Sequence, residues 1–338
     1  GIKCFTHEGV KISESLENRI EQFIDGEVQV TRSANEEIGK VFSYEKGIAH
    51  YEAYLKSLFS FSLKGKKIVL DCANGSAVRS AKHVFESFGA SLLVINDRPD
   101  GLNVNTLCGS THPEQMIQAV LDNKADMGFA FDGDADRCIA CDHLGNLVDG
   151  DKTLYACGLY MKEQGRLAKN TIVTTVMANL GLYKLFESIG IHTEMTQVGD
   201  KYVYQKMVEG RYSLGGEQSG HIIFKEHATT GDGLLTALKL SEACVMKSSS
   251  LYDLTKELII YPQLLKNVKV NDKKSALESL ALQSVVDTVA GELGDNGRIL
   301  VRPSGTEPLV RVMVEAENEA LCTQYVNQVV DVIVSAGL

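Results

Sequence analysis

The chain has 338 residues, of which 44% are hydrophobic and 23% charged, a composition typical of a globular protein with two to four domains. Its formal net charge is −10, and no run of Lys and Arg with interleaved aromatic residues occurs, which argues against a nucleic-acid partner. No apolar run approaches the about 18 residues that a membrane span needs, so we expect no membrane partner. Eight Cys without regular spacing are typical of reduced thiols, and we therefore expect a cytoplasmic protein.

The N-terminal part of the chain has few regular elements. Helical patterns occur near residues 13–23 and 48–58, without a complete strand–helix–strand unit. We therefore expect residues 1–58 to be the C-terminal remnant of a domain that begins earlier.

A strand–helix rhythm begins at residue 66 and then repeats. The first series predicts strands at 67–70, 91–95 and 127–131, and helices at 76–88 and 113–123. The second series predicts strands at 171–176 and 192–198, and a helix at 180–188. Phe-Glu-Ser-Phe-Gly at 85–89 recurs as Phe-Glu-Ser-Ile-Gly at 186–190, and Ala-Asn at 73–74 recurs at 178–179. Because both matches fall at equivalent places in the element order, they predict a duplicated α/β domain.

The last part of the chain follows a different order. After helices near 231–246 and 251–259, Pro262 marks a boundary. A strand, a helix at 273–293, two strands joined by a tight loop, and a final helix follow. The predicted fold class is therefore α/β, with tandem related α/β domains that have mixed sheets, plus a C-terminal α+β domain. The expected boundaries are 59–158, 159–261 and 262–338.

An acidic loop follows the strand at 127–131. Asp132, Asp134 and Asp136 alternate and are followed by Arg137. Three carboxylates can converge only around a positive charge, and such hard oxygen ligands suit magnesium or calcium. The spacing does not fit an EF-hand, and a D-x-D phosphatase would not explain the third Asp or the Arg. An acidic surface turn is the alternative without a function. The pattern predicts that residues 59–158 are a metal-binding domain.

A second loop has the composition of a phosphate site. In Arg-Pro-Ser-Gly-Thr-Glu-Pro at 302–308, Arg302 supplies a forked charge, Ser304 and Thr306 supply hydroxyls, and Gly305 lets backbone N–H groups turn inward. A plain hairpin turn would not need this combination. The loop predicts that residues 262–338 bind phosphate.

A third loop, at 215–221, is rich in Gly and is a weaker signal. Glu217 and Ser219 face the same side and could hold sugar hydroxyls or an amino group, with the acidic loop at 230–233 as partner. It predicts a sugar-binding domain over 159–261. Because the three loops lie far apart in sequence, we expect each to form one wall of a cleft for a small anionic substrate.

These three loops, in this order, resemble the phosphohexomutase family over the whole chain. The segments at 100–105 and 108–114, Gln218, and the run at 227–233 are most similar to its bacterial phosphoglucosamine mutase branch. The phosphoglucomutase and phosphomannomutase branches are the alternative.

The resemblance implies an isomerase that interconverts glucosamine 6-phosphate and glucosamine 1-phosphate through a phosphoserine and a sugar bisphosphate, a step that feeds amino-sugar nucleotides for cell-wall synthesis. It implies Mg²⁺ as cofactor, glucosamine or glucose 1,6-bisphosphate as activator and a phosphosugar as substrate. A homodimer is an open alternative to a monomer.

The resemblance also assigns roles to residues. It implies Asp132, Asp134 and Asp136 as Mg²⁺ ligands, Arg137 beside the phosphoserine, and Lys3 as a general acid/base. The implied substrate-binding residues are Glu217, Ser219, His221, Lys201, Arg302, Ser304, Gly305, Thr306 and Arg311. Relatives commonly have Arg where this chain has Lys201. The opening Gly-Ile-Lys matches the downstream end of the motif that carries the family's nucleophilic serine. We therefore expect this chain alone to be an inactive phosphosugar- and metal-binding fragment.

Overall fold

The computed structural model describes residues 2–304 and 307–336, which divide into two compact units. The first comprises residues 2–177 and 191–256. The second comprises 178–190 together with the described residues from 257 onward. None of the helices in these described ranges has both the length and the apolar character that a bilayer crossing requires.

The first unit begins with helices α1 (Glu14–Ile24) and α2 (Gly47–Ser57) and continues into a five-stranded sheet. The elements of that part are β1 (Lys67–Asp71), α3 (Ala81–Ser87), β2 (Ser91–Ile95), α4 (Glu114–Asn123), β3 (Met127–Phe131), β4 (Cys138–Asp142) and β5 (Leu147–Val148). The strand order is β2-β1-β3-β4-β5, with β1 parallel to β2 and β3, and with β4 antiparallel to β3 and β5. Strands β3 and β4 are buried along their whole length. Cys138 and Cys141 of β4 are free thiols.

A second sheet of the same unit repeats this topology. The next elements are α5 (Gly150–Glu163), β6 (Thr171–Thr175), α6 (Leu180–Ser188), β7 (His192–Thr196), α7 (Asp200–Gly210), β8 (Leu214–Gly216), β9 (Ile222–Phe224), α8 (Gly233–Met246) and α9 (Leu251–Thr255). The order is β7-β6-β8-β9, with β6 parallel to β7 and β8, and β9 antiparallel to β8. The first four strands of the other sheet have the same order and directions, which confirms the predicted tandem α/β domains with mixed sheets. Helix α6, however, belongs to the second unit.

The second unit contains an antiparallel sheet with helices on one face. Its remaining elements are β10 (Gln263–Lys269), α10 (Lys273–Glu278), α11 (Leu280–Leu293), β11 (Arg298–Pro303), β12 (Leu309–Glu315) and α12 (Glu319–Ser335). The order is β10-β12-β11. Helix α12 buries Cys322, Tyr325, Val326, Val329 and Ile333, a helical spacing that forms one apolar face. This face belongs to the same core cluster as Val310, Val312 and Val314, so the alternate residues of β12 lie on the other face of the sheet.

Three predicted helices are wrong in length, two of them because the backbone leaves the helical conformation at a serine. The helix predicted at 76–88 is a short 3₁₀ turn, Ser76–Arg79, followed by α3, since Ser80 has a non-helical φ of −130°. The helix predicted at 273–293 is broken at Ser279, whose backbone is extended (φ −63°, ψ 126°). The helix predicted at 251–259 ends at Thr255.

Candidate active site

The acidic loop connects the antiparallel strands β3 and β4, and two other segments hold it in place. The Gly133 carbonyl accepts a hydrogen bond from the Ser76 N–H at 2.9 Å. The Ala135 carbonyl accepts one from the Gly233 N–H, also at 2.9 Å. Ala135 itself has a φ of +60°, an uncommon conformation for a residue with a side chain. The curled conformation of the loop is therefore fixed by neighbouring backbone.

The curl brings the three predicted carboxylates together. One oxygen each from Asp132, Asp134 and Asp136 lies within 4.8 Å of the others. Asp132 is buried, Asp134 is exposed and Asp136 is intermediate. The Arg137 N–H donates to Asp132 Oδ1 at 3.1 Å, and Arg137 Nε lies 4.0 Å from oxygens of both Asp132 and Asp136. The guanidinium of Arg137 therefore lies beside the two more buried carboxylates, Asp132 and Asp136. The carboxylate of Asp134 is open to solvent.

The carboxylates perturb one another electrostatically. Burial, together with the charges of Asp136 and Asp134, raises the pKa of Asp132 to about 6. Burial also acts to raise the pKa of Asp136, but interactions with His221 and Lys3 outweigh it and lower that pKa below its ordinary value. Three hard oxygen donors that repel one another in a small volume fit a divalent cation of the magnesium or calcium type.

Lys3 lies on the open side of the acidic loop. Its Nζ forms ion pairs with Asp134 and Asp136. Partial burial acts to lower the pKa of Lys3, but the two carboxylates outweigh it and raise that pKa. Lys3 also lines an open pocket together with Tyr51, Asp232 and the two acidic residues. The structure thus brings Lys3 and the acidic residues into one site.

The sugar loop lies directly against the acidic loop. The Gly220 carbonyl accepts a hydrogen bond from the Cys138 N–H at 3.0 Å, and Gly220 has a φ of +91°. Glu217 Oε1 accepts a hydrogen bond from the Gly199 N–H at 3.0 Å, ahead of helix α7. Ser219 is exposed, as a substrate contact would require. The loop therefore offers Glu217 and Ser219 next to the metal-binding candidates.

Two predicted substrate residues have protein partners. His221 is only 3% exposed, with Nδ1 3.4 Å from Asp136 Oδ2 and Nε2 accepting a hydrogen bond from the Gly231 N–H at 2.9 Å. Lys201 Nζ lies 3.3 Å from Glu14 Oε2 and 5.0 Å from the centre of the Tyr202 ring.

The phosphate loop lies in the second unit, between β11 and β12. Arg302 and Arg311 are direct cross-strand partners, and the Nε atoms of both are buried without a hydrogen-bond partner in the described part of the chain. Burial, followed by the charge of Arg311, lowers the pKa of Arg302. Ser304 is buried and its carbonyl accepts a hydrogen bond from Lys273 Nζ at 2.8 Å. The predicted residues Gly305 and Thr306 lie outside the described residues. Two adjacent guanidinium groups whose Nε atoms lack a partner among the described residues favour an anion.

Sequence reasoning named the acidic loop at 230–233, which contains Asp232, but missed its partner Tyr51 and the pair formed by Lys11 and Asp200. Tyr51 donates hydrogen bonds to both carboxylate oxygens of Asp232, at 2.9 and 3.0 Å, and Asp232 Oδ1 accepts from the Leu235 N–H at the start of α8. Lys11 forms an ion pair with Asp200. An Asp before a helix is a recognisable N-cap, so Asp232 had a local signal. The other two contacts join distant segments and had none.

Three family models of the phosphoglucomutase/phosphomannomutase type match most of the chain. The alpha/beta/alpha domain II model matches residues 48–145, the alpha/beta/alpha domain III model matches 149–261, and the C-terminal domain model matches 265–332. The chain is 50% identical to the phosphoglucosamine mutase of Lachnospira eligens over 338 residues, 100% of the chain and 75% of that protein. It is 49% identical to that of Oceanobacillus iheyensis over 333 residues, 98% of the chain and 75% of that protein.

Solved structures show the same fold. A phosphoglucomutase/phosphomannomutase family protein from Burkholderia thailandensis has a TM-score of 0.73 at 21% identity, covering 97% of this chain and 71% of that one. An Aspergillus fumigatus N-acetylphosphoglucosamine mutase in complex with GlcNAc-6P and magnesium has a TM-score of 0.71 at 20% identity, covering 89% of this chain and 68% of that one.

The chain belongs to the phosphohexomutase family. Among its relatives, those at 46–50% identity over nearly the whole chain are phosphoglucosamine mutases. The predicted family, its most similar branch and the predicted enzyme class, an isomerase that transfers a phosphoryl group, are thereby confirmed.

Proposed function

We propose that this chain carries the metal-, sugar- and phosphate-binding parts of a phosphoglucosamine mutase that interconverts glucosamine 6-phosphate and glucosamine 1-phosphate. The observation that carries the proposal is the convergence of Asp132, Asp134 and Asp136 beside Lys3 and Arg137. The identity to phosphoglucosamine mutases supports glucosamine as the sugar. The reaction would supply a precursor of amino-sugar nucleotides for the cell wall.

The proposed chemistry is two successive phosphoryl transfers. In the first, the P–O bond to a serine breaks and a P–O bond to the free sugar hydroxyl forms, giving a bisphosphate. In the second, the P–O bond between the sugar and the substrate's original phosphoryl group breaks, and a P–O bond from that group to the serine oxygen forms. Each attacking hydroxyl loses a proton and each leaving oxygen gains one, and we assign that proton to Lys3 Nζ. Bound Mg²⁺, held by the three Asp side chains, would offset charge on the transferring phosphoryl group.

The other residues of the proposal bind rather than react. Arg302, Ser304 and Arg311, with Gly305 and Thr306, would hold the phosphate that is not transferred. The buried Nε atoms of Arg302 and Arg311, which have no hydrogen-bond partner within residues 2–304 and 307–336, support this assignment. Glu217, Ser219 and His221 would contact the sugar. Lys201 would add positive charge, and Arg137 would lie beside the phosphoserine. The corresponding metal-, sugar- and phosphate-binding domains are 59–158, 159–261 and 262–338.

Two further parts of the proposal concern activation and assembly. Glucosamine or glucose 1,6-bisphosphate would act as activator by leaving one phosphoryl group on the serine. A homodimer stays a prediction, which sedimentation of the purified protein tests.

We also propose that the 338 residues by themselves bind phosphosugar without turning it over, because no serine among them has the neighbours of the family's nucleophile. Incubation with glucosamine 6-phosphate, Mg²⁺ and the bisphosphate should give no 1-phosphate. Turnover, together with phosphorylation of a serine such as Ser76 or Ser110 detected by mass spectrometry, would refute this part alone.

The substrate is tested with the chain joined to the N-terminal part of its 50%-identical Lachnospira eligens relative. Mutase rates are measured on glucosamine, glucose and mannose phosphates. We expect the highest kcat/KM on glucosamine phosphate. A strong preference for mannose phosphate would overturn the proposed function.

A further inference from the structure

A tyrosine of helix α2 contacts the loop that leads into helix α8. The Tyr51 hydroxyl lies 2.9 and 3.0 Å from the two carboxylate oxygens of Asp232, so its single proton is shared between them. Burial, together with the charge of Asp232, raises the pKa of Tyr51, so that the phenol keeps its proton and acts as the donor. Both residues line the open pocket beside the acidic loop, residues 132–136.

Asp232 is engaged as the N-cap of α8. Its Oδ1 also accepts a hydrogen bond from the Leu235 N–H at 2.9 Å, and its carbonyl accepts from the Thr236 hydroxyl at 2.7 Å. Each carboxylate oxygen therefore accepts at least one hydrogen bond. In the described part of the chain, Asp232 is not a member of the group of convergent carboxylates. The geometry thus assigns Asp232 to the start of the helix and not to the metal.

The first residue of α8 holds the acidic loop. The Gly233 N–H donates to the Ala135 carbonyl at 2.9 Å, and Ala135, between two of the three carboxylates, has a φ of +60°. A Cβ built on Gly233 would lie 2.4 Å from the Arg137 carbonyl oxygen and 2.9 Å from that of Ala135. The start of the helix and the loop are therefore in direct backbone contact, and a shift of one displaces the other.

We propose that Tyr51 is a positioning residue of the metal site, which acts through Asp232 and Gly233 on the conformation of the acidic loop. Without the hydroxyl, Asp232 loses the contact that joins it to α2, and the Gly233 N–H is held less firmly against Ala135. The inference rests on the proposed function, in which the acidic loop binds Mg²⁺. Partners that contact a metal ligand directly change metal affinity by about 10- to 100-fold, and Tyr51 acts from further away, so we expect roughly 3- to 10-fold.

The test compares two tyrosines of the same helix. Tyr51→Phe removes only the hydroxyl that contacts Asp232. Tyr54→Phe, the matched control, removes a hydroxyl that donates to the His227 carbonyl at 2.5 Å. Affinity for Mn²⁺, measured by the EPR signal of the free ion, should fall at least about threefold in Tyr51→Phe and less than that in Tyr54→Phe. A merely structural effect would act on both variants alike, so a threefold loss in the control, or a smaller loss in Tyr51→Phe, would overturn the positioning role.

Variants of Asp232 test whether the contacts act in series. Asp232→Asn keeps an acceptor for the Leu235 N–H and a partner for the phenol, which can donate or accept, so Mn²⁺ affinity should stay within about threefold. A larger loss would mean that the carboxylate charge itself acts on the metal, against the proposal. In Asp232→Ala, which removes both contacts, Tyr51→Phe should add no further loss, because residues of one network are not additive. Additive losses would contradict a route through Asp232.

A reference variant separates this inference from the proposed function. If Asp136→Asn leaves Mn²⁺ affinity unchanged, the proposed function fails and the inference fails with it. If Asp136→Asn weakens binding while Tyr51→Phe does not, only the inference fails.

Hydrogen exchange in EDTA gives a readout that needs no metal. The Gly233 amide should exchange faster in Tyr51→Phe than in the wild type, and equal rates would overturn the proposal. Should Tyr51→Phe not fold, rapid exchange of the Gly233 amide in the wild type would still contradict the proposal.

Discussion

Arg302 and Arg311 stand directly opposite each other on β11 and β12, with the Nε atoms of both buried and without a hydrogen-bond partner in the described residues. Like charges at directly opposed positions destabilise an antiparallel pair. A buried donor without a partner adds a further cost. Both destabilising features lie in the second unit, next to the predicted phosphate loop. A bound phosphate would offset the like charges and accept hydrogen bonds from the buried donors.

The first prediction follows from this pair. Arg311→Met should weaken binding of glucosamine 6-phosphate at least about 10-fold, because a charge-assisted hydrogen bond contributes about 1.5–3 kcal/mol. Without phosphate, the same change should raise the free energy of unfolding by up to about 1 kcal/mol, because the opposed charge is removed. Calorimetric titration and urea unfolding measure the two effects.

Its control is Lys274→Met, which removes an exposed cation from α10 in the same unit. It should change neither quantity by more than about 0.5 kcal/mol. Lower stability of Arg311→Met in phosphate-free buffer would contradict the anion-site interpretation.

Local sequence patterns predicted much of the fold and part of the site. Period-2 and period-3.6 patterns located most strands and helices, and the alternation of Asp132, Asp134 and Asp136 after a strand indicated their convergence. The interruption at Ser279 was not predictable, since the flanking residues all favour helix. The burial of His221 behind Asp136 and the pairing of Lys11 with Asp200 depend on segments that meet only in the folded chain.

The second prediction contrasts two glycines. Gly231→Ala places a Cβ against His221 and the Asp136 carbonyl, and such overpacking costs about 1–3 kcal/mol. Gly291→Ala adds a Cβ with no heavy atom within 4 Å inside helix α11, where alanine stabilises by up to about 1 kcal/mol. Thermal unfolding should therefore shift down for the first variant and up for the second. A Tm increase for Gly231→Ala would contradict the close approach of Gly231 to His221 and to the Asp136 carbonyl.

The third prediction concerns pH. The pKa of Asp132 in the folded chain is about 6, above its ordinary value of 3.8. The folded state therefore binds the proton more tightly than the unfolded state. The associated stability is present below about pH 4 and is lost as pH rises through 6. In EDTA, raising the pH from 5 to 7.5 should lower the free energy of unfolding by about 1 kcal/mol more in the wild type than in Asp132→Asn.

The comparison with Asp132→Asn removes the contribution of other buried acids whose pKa is also raised, such as Asp232 and Glu315. Asp136 does not mask the effect, because its lowered pKa places its own transition at more acidic pH. Saturating Mg²⁺ should abolish the difference, since the cation offsets the carboxylate charge. Parallel pH profiles of the two proteins in EDTA would be inconsistent with a raised pKa at Asp132.

The fourth prediction concerns Lys3, whose ammonium contacts Asp134 and Asp136, two of the three carboxylates that a metal would use. A divalent cation must displace or share this contact, so Lys3→Met should tighten Mn²⁺ binding. A partly exposed ion pair contributes at most about 1 kcal/mol, which limits the gain to about fivefold. Lys40→Met, which removes an exposed cation from the same N-terminal segment, should leave the affinity unchanged.

In the chain joined to the relative's N-terminal part, Lys3→Met should instead abolish most mutase activity, because the proton carrier is lost. Weaker Mn²⁺ binding in Lys3→Met would mean that the ammonium supports the metal site instead of competing with it.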